Sequence, residues 1–341
     1  MPSFVEPDGV KLSFSSFLLF MLVLTLVSCS EQKSMSAIDY SERLARVLEE
    51  SMPKVVSRET IEFPRYRDLQ VSFEEHSIDL LQFLALQDCE LQIVIAERNS
   101  SLGRLATASQ RLISEIRLLE TGEVCLGTLA DEKLSDGLSR ILAVKRLELI
   151  GRIWEATLAG PEFRSFWRNK DISTDSSPDA VIALNLLRMD IERWLSGDYK
   201  IESIIFEKRL QKIAAGNGGR TLSYWRELVE TLPTATQILG SRIQRRPLCF
   251  PGMKTVDAES FYRVMKTAFI SELQRKTARL NRDTYDLLGE ILVIEEMLSS
   301  EITPAYRSWQ KDRRTLVADG RAAIKSHIEA LVPFLEQCGF M

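Results

Sequence analysis

Residues 257–300 read DAESFYRVMKTAFISELQRKTARLNRDTYDLLGEILVIEEMLSS, a stretch with one glycine and no proline. Its apolar residues return every four or seven positions, the spacing that places them on one face of an α-helix. They are Phe261, Met265, Phe269, Leu273, Leu280, Leu287, Ile291 and Leu298. The pattern predicts one long amphipathic helix.

A second long helix is expected to begin at Pro304 and to run to about Gln337, since proline is favoured in the first turn of a helix. The short connection predicts an antiparallel hairpin. Its outgoing arm is longer by about 15 Å, at about 1.5 Å per residue, and the stretch from Cys249 to Val256 can double back over that distance. Cys249 and Cys338 can therefore meet at the open end.

Helical spacing continues through most of the chain, which predicts an all-α fold: a multi-helix bundle that carries the long C-terminal hairpin. Pro233 is expected to kink or divide its helix, Gly216–Gly219 to form a flexible turn, and Gly122 to end a helix. The polar run 169–178 is the candidate subdivision of a helical domain at 37–341. The expected helices are Ile38–Glu50, Ser77–Arg98, Leu102–Glu120, Leu134–Leu158, Asp179–Leu195, Ile201–Ala215 and Arg220–Ile243.

Composition argues against several functions. A formal charge of −4 does not favour nucleic acid, and the run with Lys311, Arg313 and Arg314 is expected on a solvated helix face. The chain has two histidines, His76 and His327, far apart in sequence, so a histidine-rich metal site is excluded. Because no catalytic motif occurs, we expect a non-enzymatic protein without cofactor or metal, although a carboxylate-only enzyme stays open.

The amino terminus predicts export. The apolar run Phe17–Val27 is too short to span a membrane but suits a secretory signal, here residues 1–28. Leu26-Val27-Ser28-Cys29 resembles the lipobox of bacterial lipoproteins, in which the cysteine is acylated. Lipid on Cys29 would anchor the chain, with residues 29–36 as a tether; the alternative is an ordinary signal peptide with a chance cysteine.

Two further features bear on export. Glu6 and Asp8 weaken the positive start of the signal, so we expect translation to begin at Val10. Ser30 after the cysteine implies export to the outer membrane by resemblance to the enterobacterial sorting rule. We therefore expect an outer-membrane lipoprotein that faces the periplasm, held by its lipid and partnered by another envelope protein.

Four cysteines remain after Cys29, an even number for an oxidising compartment. Three pairings are possible. We favour Cys249–Cys338, for the reason given, and Cys89–Cys125, which flank a smaller hairpin that turns near Asn99. Four buried free thiols are the alternative.

One polar cluster interrupts the apolar pattern, at the end of the helix in CELQIVIAERNSSLGR (residues 89–104). We expect a structural corner in which Asn99 or Ser100 caps a helix and Glu97 pairs with an arginine such as Arg111. The alternative is a ligand site with backbone amides aimed at an anion. The cluster comprises Glu97, Arg98, Asn99, Ser100, Ser101, Ser109 and Arg111. The five tryptophans are expected in the core rather than on a sugar-binding platform.

Several stretches of the sequence together resemble one protein family. They are CELQIVIAERNSSLGR, the downstream SQRL, Arg246-Pro247-Leu248-Cys249, Pro304 with Tyr306 and Trp309, His327 and Gln337-Cys338-Gly339. The family that they resemble is the domain of unknown function 3080 family of gammaproteobacterial lipoproteins. The resemblance covers nearly the whole chain after Cys29. It implies an envelope lipoprotein and no activity. Three functions follow as hypotheses: a lipid-anchored interaction or assembly module, a periplasmic carrier of an apolar ligand, or an enzyme that uses carboxylates around Glu97.

Overall fold

The computed structural model describes residues 35–73, 86, 89–168, 178–250 and 253–340. In these ranges the fold is all-α, as predicted, and its longest helix is the last one, with 34 residues. The helices are α1 Ala37–Leu48, α2 Glu90–Asn99, α3 Ser101–Arg104, α4 Ala108–Leu126, α5 Glu132–Ala156, α6 Pro161–Arg168, α7 Pro178–Leu195, α8 Ser203–Ala214, α9 Gly218–Arg245, α10 Val256–Val264, a π-helical segment Met265–Gln274, α11 Arg275–Met297 and α12 Pro304–Gln337.

The hairpin is antiparallel, as predicted. Near its turn, Tyr306 donates a hydrogen bond to Glu295, and farther along the arms Arg321 donates one to Asn281. At the open end, Cys249 and Cys338 form a disulfide with Cα atoms 5.2 Å apart, which confirms this pairing. The bridge contributes about 4–5 kcal/mol by the chain-entropy estimate.

The outgoing arm is not α-helical throughout, and here the prediction was incomplete. Met265–Gln274 is π-helical, between α10 and α11. Wider i→i+5 turns displace the residues that follow around the helix axis. Phe269 in this segment packs against the rings of Tyr40 and His327, at centroid distances of 5.4 and 5.0 Å. No glycine or proline marks the segment, so the sequence pattern gave no sign of it.

Helix α9 lies between α1 and α12 and packs along both. It continues through Pro233, so the expected division does not occur. Side chains on both sides of this proline are buried, so tertiary packing supports the helix through this position. The expected flexible turn is also wrong in part: Gly218 and Gly219 are buried in the first turn of α9, where a Cβ on Gly218 would lie 2.3 Å from the Phe166 ring.

Helices α2, α4 and α5 form a second packed group. Cys89 and Cys125 are disulfide-bonded with Cα atoms 5.5 Å apart, which confirms the second pairing. Gly122 does not end α4, which continues to Leu126. A Cβ at Gly122 would lie 2.5 Å from Leu142, so the glycine serves close packing of α4 on α5. The expected Ser77–Arg98 helix falls partly outside the described residues.

An extended segment, residues 49–73, crosses the helices without a helix of its own except a 3₁₀ turn at Tyr66–Asp68. We call it the strap. Its Leu69 carbonyl accepts a hydrogen bond of 2.8 Å from the Trp154 indole, and Phe63 packs edge-on against Trp309 at 5.0 Å. The strap thereby ties α5 to α12.

All five tryptophans lie in the core, as expected. Buried side chains on both sides of residues 169–177 belong to one hydrophobic cluster.

The signal peptide, Cys29 and most of the tether fall outside the described residues, as does nearly all of the candidate boundary at 169–178. Among the helices that the structure describes, none is long and apolar enough to cross a bilayer.

A buried polar triad joins α1, α9 and α12. His327 has both ring nitrogens occupied: Nε2 lies 2.9 Å from the Tyr40 hydroxyl and Nδ1 lies 3.1 Å from the Thr236 hydroxyl. The Thr236 hydroxyl already donates to the Leu232 carbonyl, so Nδ1 carries the proton and Nε2 accepts from Tyr40. Burial lowers the pKa of His327 to about 4 and raises the pKa of Tyr40.

This triad makes stability depend on pH. His327 has its ordinary pKa of 6.5 in the unfolded chain and a depressed pKa in the folded one, so its contribution is present above pH 6.5 and is lost as the pH falls toward 4. Between pH 7 and about pH 5, the wild type should lose about 2 kcal/mol more unfolding free energy than His327→Gln. Urea denaturation at both pH values measures this; equal pH dependence in the two proteins would contradict it.

Candidate functional site

The predicted polar cluster forms a tight corner between α2, α3 and α4. Ser100 caps α3, because its hydroxyl accepts a hydrogen bond from the Gly103 amide at 3.0 Å and donates one to the Glu97 carbonyl. A Cβ at Gly103 would lie 2.3 Å from the Arg98 carbonyl oxygen and 2.4 Å from that of Glu97. Only glycine allows α3 to turn this closely onto the end of α2.

The remaining polar residues of the cluster have local roles. The Asn99 carbonyl accepts a hydrogen bond from the Arg104 guanidinium at 3.2 Å. Ser101 is exposed in the first position of α3. Ser109 is buried and lies 3.0 Å from the hydroxyl of Thr107, which caps α4. Ser100 is therefore the cap of the corner, and Asn99 contributes its backbone.

The ion pairs differ from the expectation. Glu97 pairs with Arg117, not Arg111, at 2.8 Å, and its side chain is 55% exposed. The buried carboxylate is Glu115, which sequence reasoning missed. It lies 2.8 Å from Arg98 and 3.7 Å from the buried Lys145 ammonium, so it joins α2, α4 and α5. The signal for Glu115 was its helical register, since it lies three residues after Leu112 on the buried side of α4.

A basic pocket of about 260 Å³ opens beside this corner. Arg98 and Glu115 form its floor, and the side chain of Arg152 stacks on the Phe73 ring at 3.4 Å. The lining residues are Arg98, Asn99, Gly103, Arg104, Ala106, Arg111, Ser114, Glu115 and Arg152. Four arginines face one carboxylate in this lining, so the pocket carries a positive surplus. Glu97 and Ser109 do not line it.

A larger groove of about 680 Å³ lies between the strap and α9 and α12. Its floor is apolar, with Phe63, Trp309 and Leu316, and its rim is charged. The rim residues include Arg58, Glu59, Glu62, Arg65, Asp68, Arg226 and Asp312. Arg226 bonds to Thr60 of the strap, and Arg58 pairs with Asp319 of α12 at 2.6 Å. These bonds hold the strap at a set position above the helices.

A buried ion pair supports the floor of the groove. Arg313, expected on a solvated face, is fully buried 2.9 Å from Glu295. Its guanidinium stacks over Trp309 at 4.7 Å and over Trp167 at 5.3 Å. Arg313 follows Tyr306 and Trp309 at helical spacing, which places it on the buried face of α12. Burial and the neighbouring Glu295 raise the pKa of Tyr306.

No metal site is evident in the parts of the chain that are described, since no three His, Cys, Asp or Glu side chains group together there.

Two carboxylates of the corner should differ in their effect on stability. Glu115→Gln removes the buried carboxylate that pairs with Arg98, while Lys145 keeps Glu148 at 2.6 Å, and it should lower the unfolding free energy by about 1–3 kcal/mol. Glu97→Gln, a matched change at an exposed ion pair, should cost less than about 1 kcal/mol. Chemical denaturation of both variants measures the difference; equal losses would show that the corner does not depend on Glu115.

Comparison with known protein families gives a match over most of the chain. The model of a family described as proteins of unknown function, DUF3080, matches residues 37–341. No curated protein and no solved structure matches significantly. The matched range covers every described helix, from the start of α1 to the end of α12. The chain is therefore a member of the DUF3080 family.

Proposed function

We propose that this protein is a lipid-anchored envelope lipoprotein whose helical domain is a non-enzymatic interaction module in the periplasm. The groove between the strap and α12 carries the proposal of a partner. The lipobox at Cys29 supports the anchor, and the two disulfides suit an oxidising compartment. The outer membrane is the proposed location because serine follows Cys29.

The groove has the composition of a protein-binding surface. Protein interfaces place aromatic and aliphatic groups at the centre and charged groups at the rim. Here the apolar floor with Phe63 and Trp309 lies within a rim of both charge signs. The buried Glu295–Arg313 pair and the strap hold this surface in place before a partner binds, which lowers the entropic cost of association.

The two other hypotheses receive less support. A carrier needs an apolar cavity that can hold an acyl chain, but the apolar cavity beside Leu228, Leu273 and Leu280 offers only about 10 Å³, the space of about one water. An enzyme that uses Glu97 needs this carboxylate in a cleft, but Glu97 is exposed and paired with Arg117. We therefore rank the interaction module first.

The anchor is tested by metabolic labelling with palmitate. Wild-type protein should incorporate label, and Cys29→Ala should not, because its side chain lacks the acylated sulfur. Ser30→Ala, which keeps the lipobox, serves as the matched control and should label normally. Labelling of Cys29→Ala at the wild-type level would refute acylation at this cysteine.

The partner surface is tested by site-specific photo-crosslinking in intact cells. A photoreactive residue at Ser308 or Thr315, exposed positions that line the groove, should give a discrete adduct with an envelope protein. The same residue at Tyr285, exposed on α11 outside the groove, is the control and should not give that adduct. Adducts of equal yield at all three positions, or no groove adduct, would contradict a partner at the groove.

A further inference from the structure

The corner that forms the basic pocket also exposes two leucines. Leu102 in α3 and Leu105 just beyond it are each 82% exposed, more than any other large apolar side chain in the described ranges. They flank Gly103 and Arg104, which line the pocket. The turn of the corner is made by the Ser100 cap and by the close approach at Gly103. The two exposed leucines are not needed for that turn.

The pocket retains positive charge after its internal pairs are counted. Glu115 is already paired with Arg98 at 2.8 Å, while Lys145 pairs most closely with Glu148 at 2.6 Å. Arg104 donates its Nε to a backbone carbonyl, and no carboxylate of the described residues pairs with it. Arg111 has no ion pair within 4.0 Å among described residues, although it lies close enough to Glu155 to lower the pKa of that carboxyl.

Glu155 does not cancel this surplus. It pairs with Arg152 at 3.4 Å, and Arg152 is itself one of the four lining arginines. With Arg98 paired to Glu115 and Arg152 paired to Glu155, the charges of Arg104 and Arg111 remain. Arg104 and Arg111 therefore present guanidinium donors to the cavity. Planar guanidinium groups favour oxyanions, and paired N–H donors match phosphate geometry. A cavity of about 260 Å³ admits a phosphate group but not a whole lipid.

We infer that the α2–α3–α4 corner docks on a membrane by binding the phosphate group of a phospholipid between Arg104 and Arg111 while Leu102 and Leu105 enter the apolar layer. A phospholipid carries its phosphate and its acyl chains on one glycerol unit, and the corner likewise carries Arg104 next to Leu105. The inference rests on the proposed lipid anchor, which would keep the domain at a bilayer. Gly103 positions the surface, because it lets α3 lie close against the end of α2.

The test measures flotation of the full mature chain with Cys29→Ala, so that no attached lipid contributes. This protein should bind vesicles that contain phosphatidylglycerol and should bind pure phosphatidylcholine vesicles more weakly, because an anionic surface attracts the arginines. The Arg104→Gln/Arg111→Gln variant should bind the anionic vesicles about tenfold or more less tightly, since each basic residue near such a surface contributes about fivefold. The Leu102→Ser/Leu105→Ser variant should lose binding to both vesicle types.

Matched controls change the same residue types elsewhere. Arg140→Gln/Arg263→Gln removes two exposed arginines, and Val124→Ser/Leu147→Ser removes two exposed apolar side chains. Both should bind like the parent protein. All variants should keep the parent melting temperature, because the altered side chains are exposed, so loss of binding is not loss of fold.

Three results would overturn the inference. The first is no vesicle binding by the parent protein, and the second is equal loss in the control variants. The third is saturation of the arginines by glycerol phosphate or inorganic phosphate without vesicle binding, which would assign the pocket to a soluble phosphate compound. Because these proteins lack the Cys29 lipid, each result is independent of the palmitate test of the anchor.

Discussion

The fully buried ion pair between Glu295 and Arg313 is the contact on which much of the structure depends. It crosses the hairpin from α11 to α12 near the turn. Tyr306 and Gln310 also donate to the Glu295 carboxylate, and Trp309 and Trp167 cover the Arg313 guanidinium. A buried charge without its partner is strongly unfavourable, so the two arms can pack only in the register that brings both residues together.

From this pair, contacts extend to the rest of the fold. Trp309 meets Phe63 of the strap, and Tyr306 meets Trp154 of α5 at 5.0 Å. Trp154 in turn donates to the Leu69 carbonyl of the strap. At the opposite end of the hairpin, the Cys249–Cys338 bridge closes the arms. The groove and the basic pocket lie on separate surfaces of this framework, so the proposed partner and the inferred lipid would not compete for the same residues.

Predictions from local pattern were accurate where a pattern repeats. The hairpin arms, the all-α class and both disulfides followed from apolar spacing and from the reach of the chain between cysteines. Predictions from single residues were less accurate. Pro233 and Gly122 do not end helices, because close packing on neighbouring helices outweighs their local preferences. At the corner, the residue types were right and Ser100 caps as expected, but Glu97 pairs with Arg117 rather than Arg111.

The sequence by itself determined the helical class, the antiparallel hairpin and the family, because these depend on periodicity, chain length and motif. It favoured the cysteine pairing, which the structure then confirmed. It also predicted export and acylation at Cys29. Only the tertiary structure decided which charges are buried. Arg313 and Glu115 resemble surface residues in the sequence, yet they lie in the core because distant segments supply their partners. The same reason applies to the groove, which is lined by the strap, α9 and α12, segments far apart in the chain. The basic pocket is lined mostly by residues 98–115, and packing of α5 adds Arg152 to it.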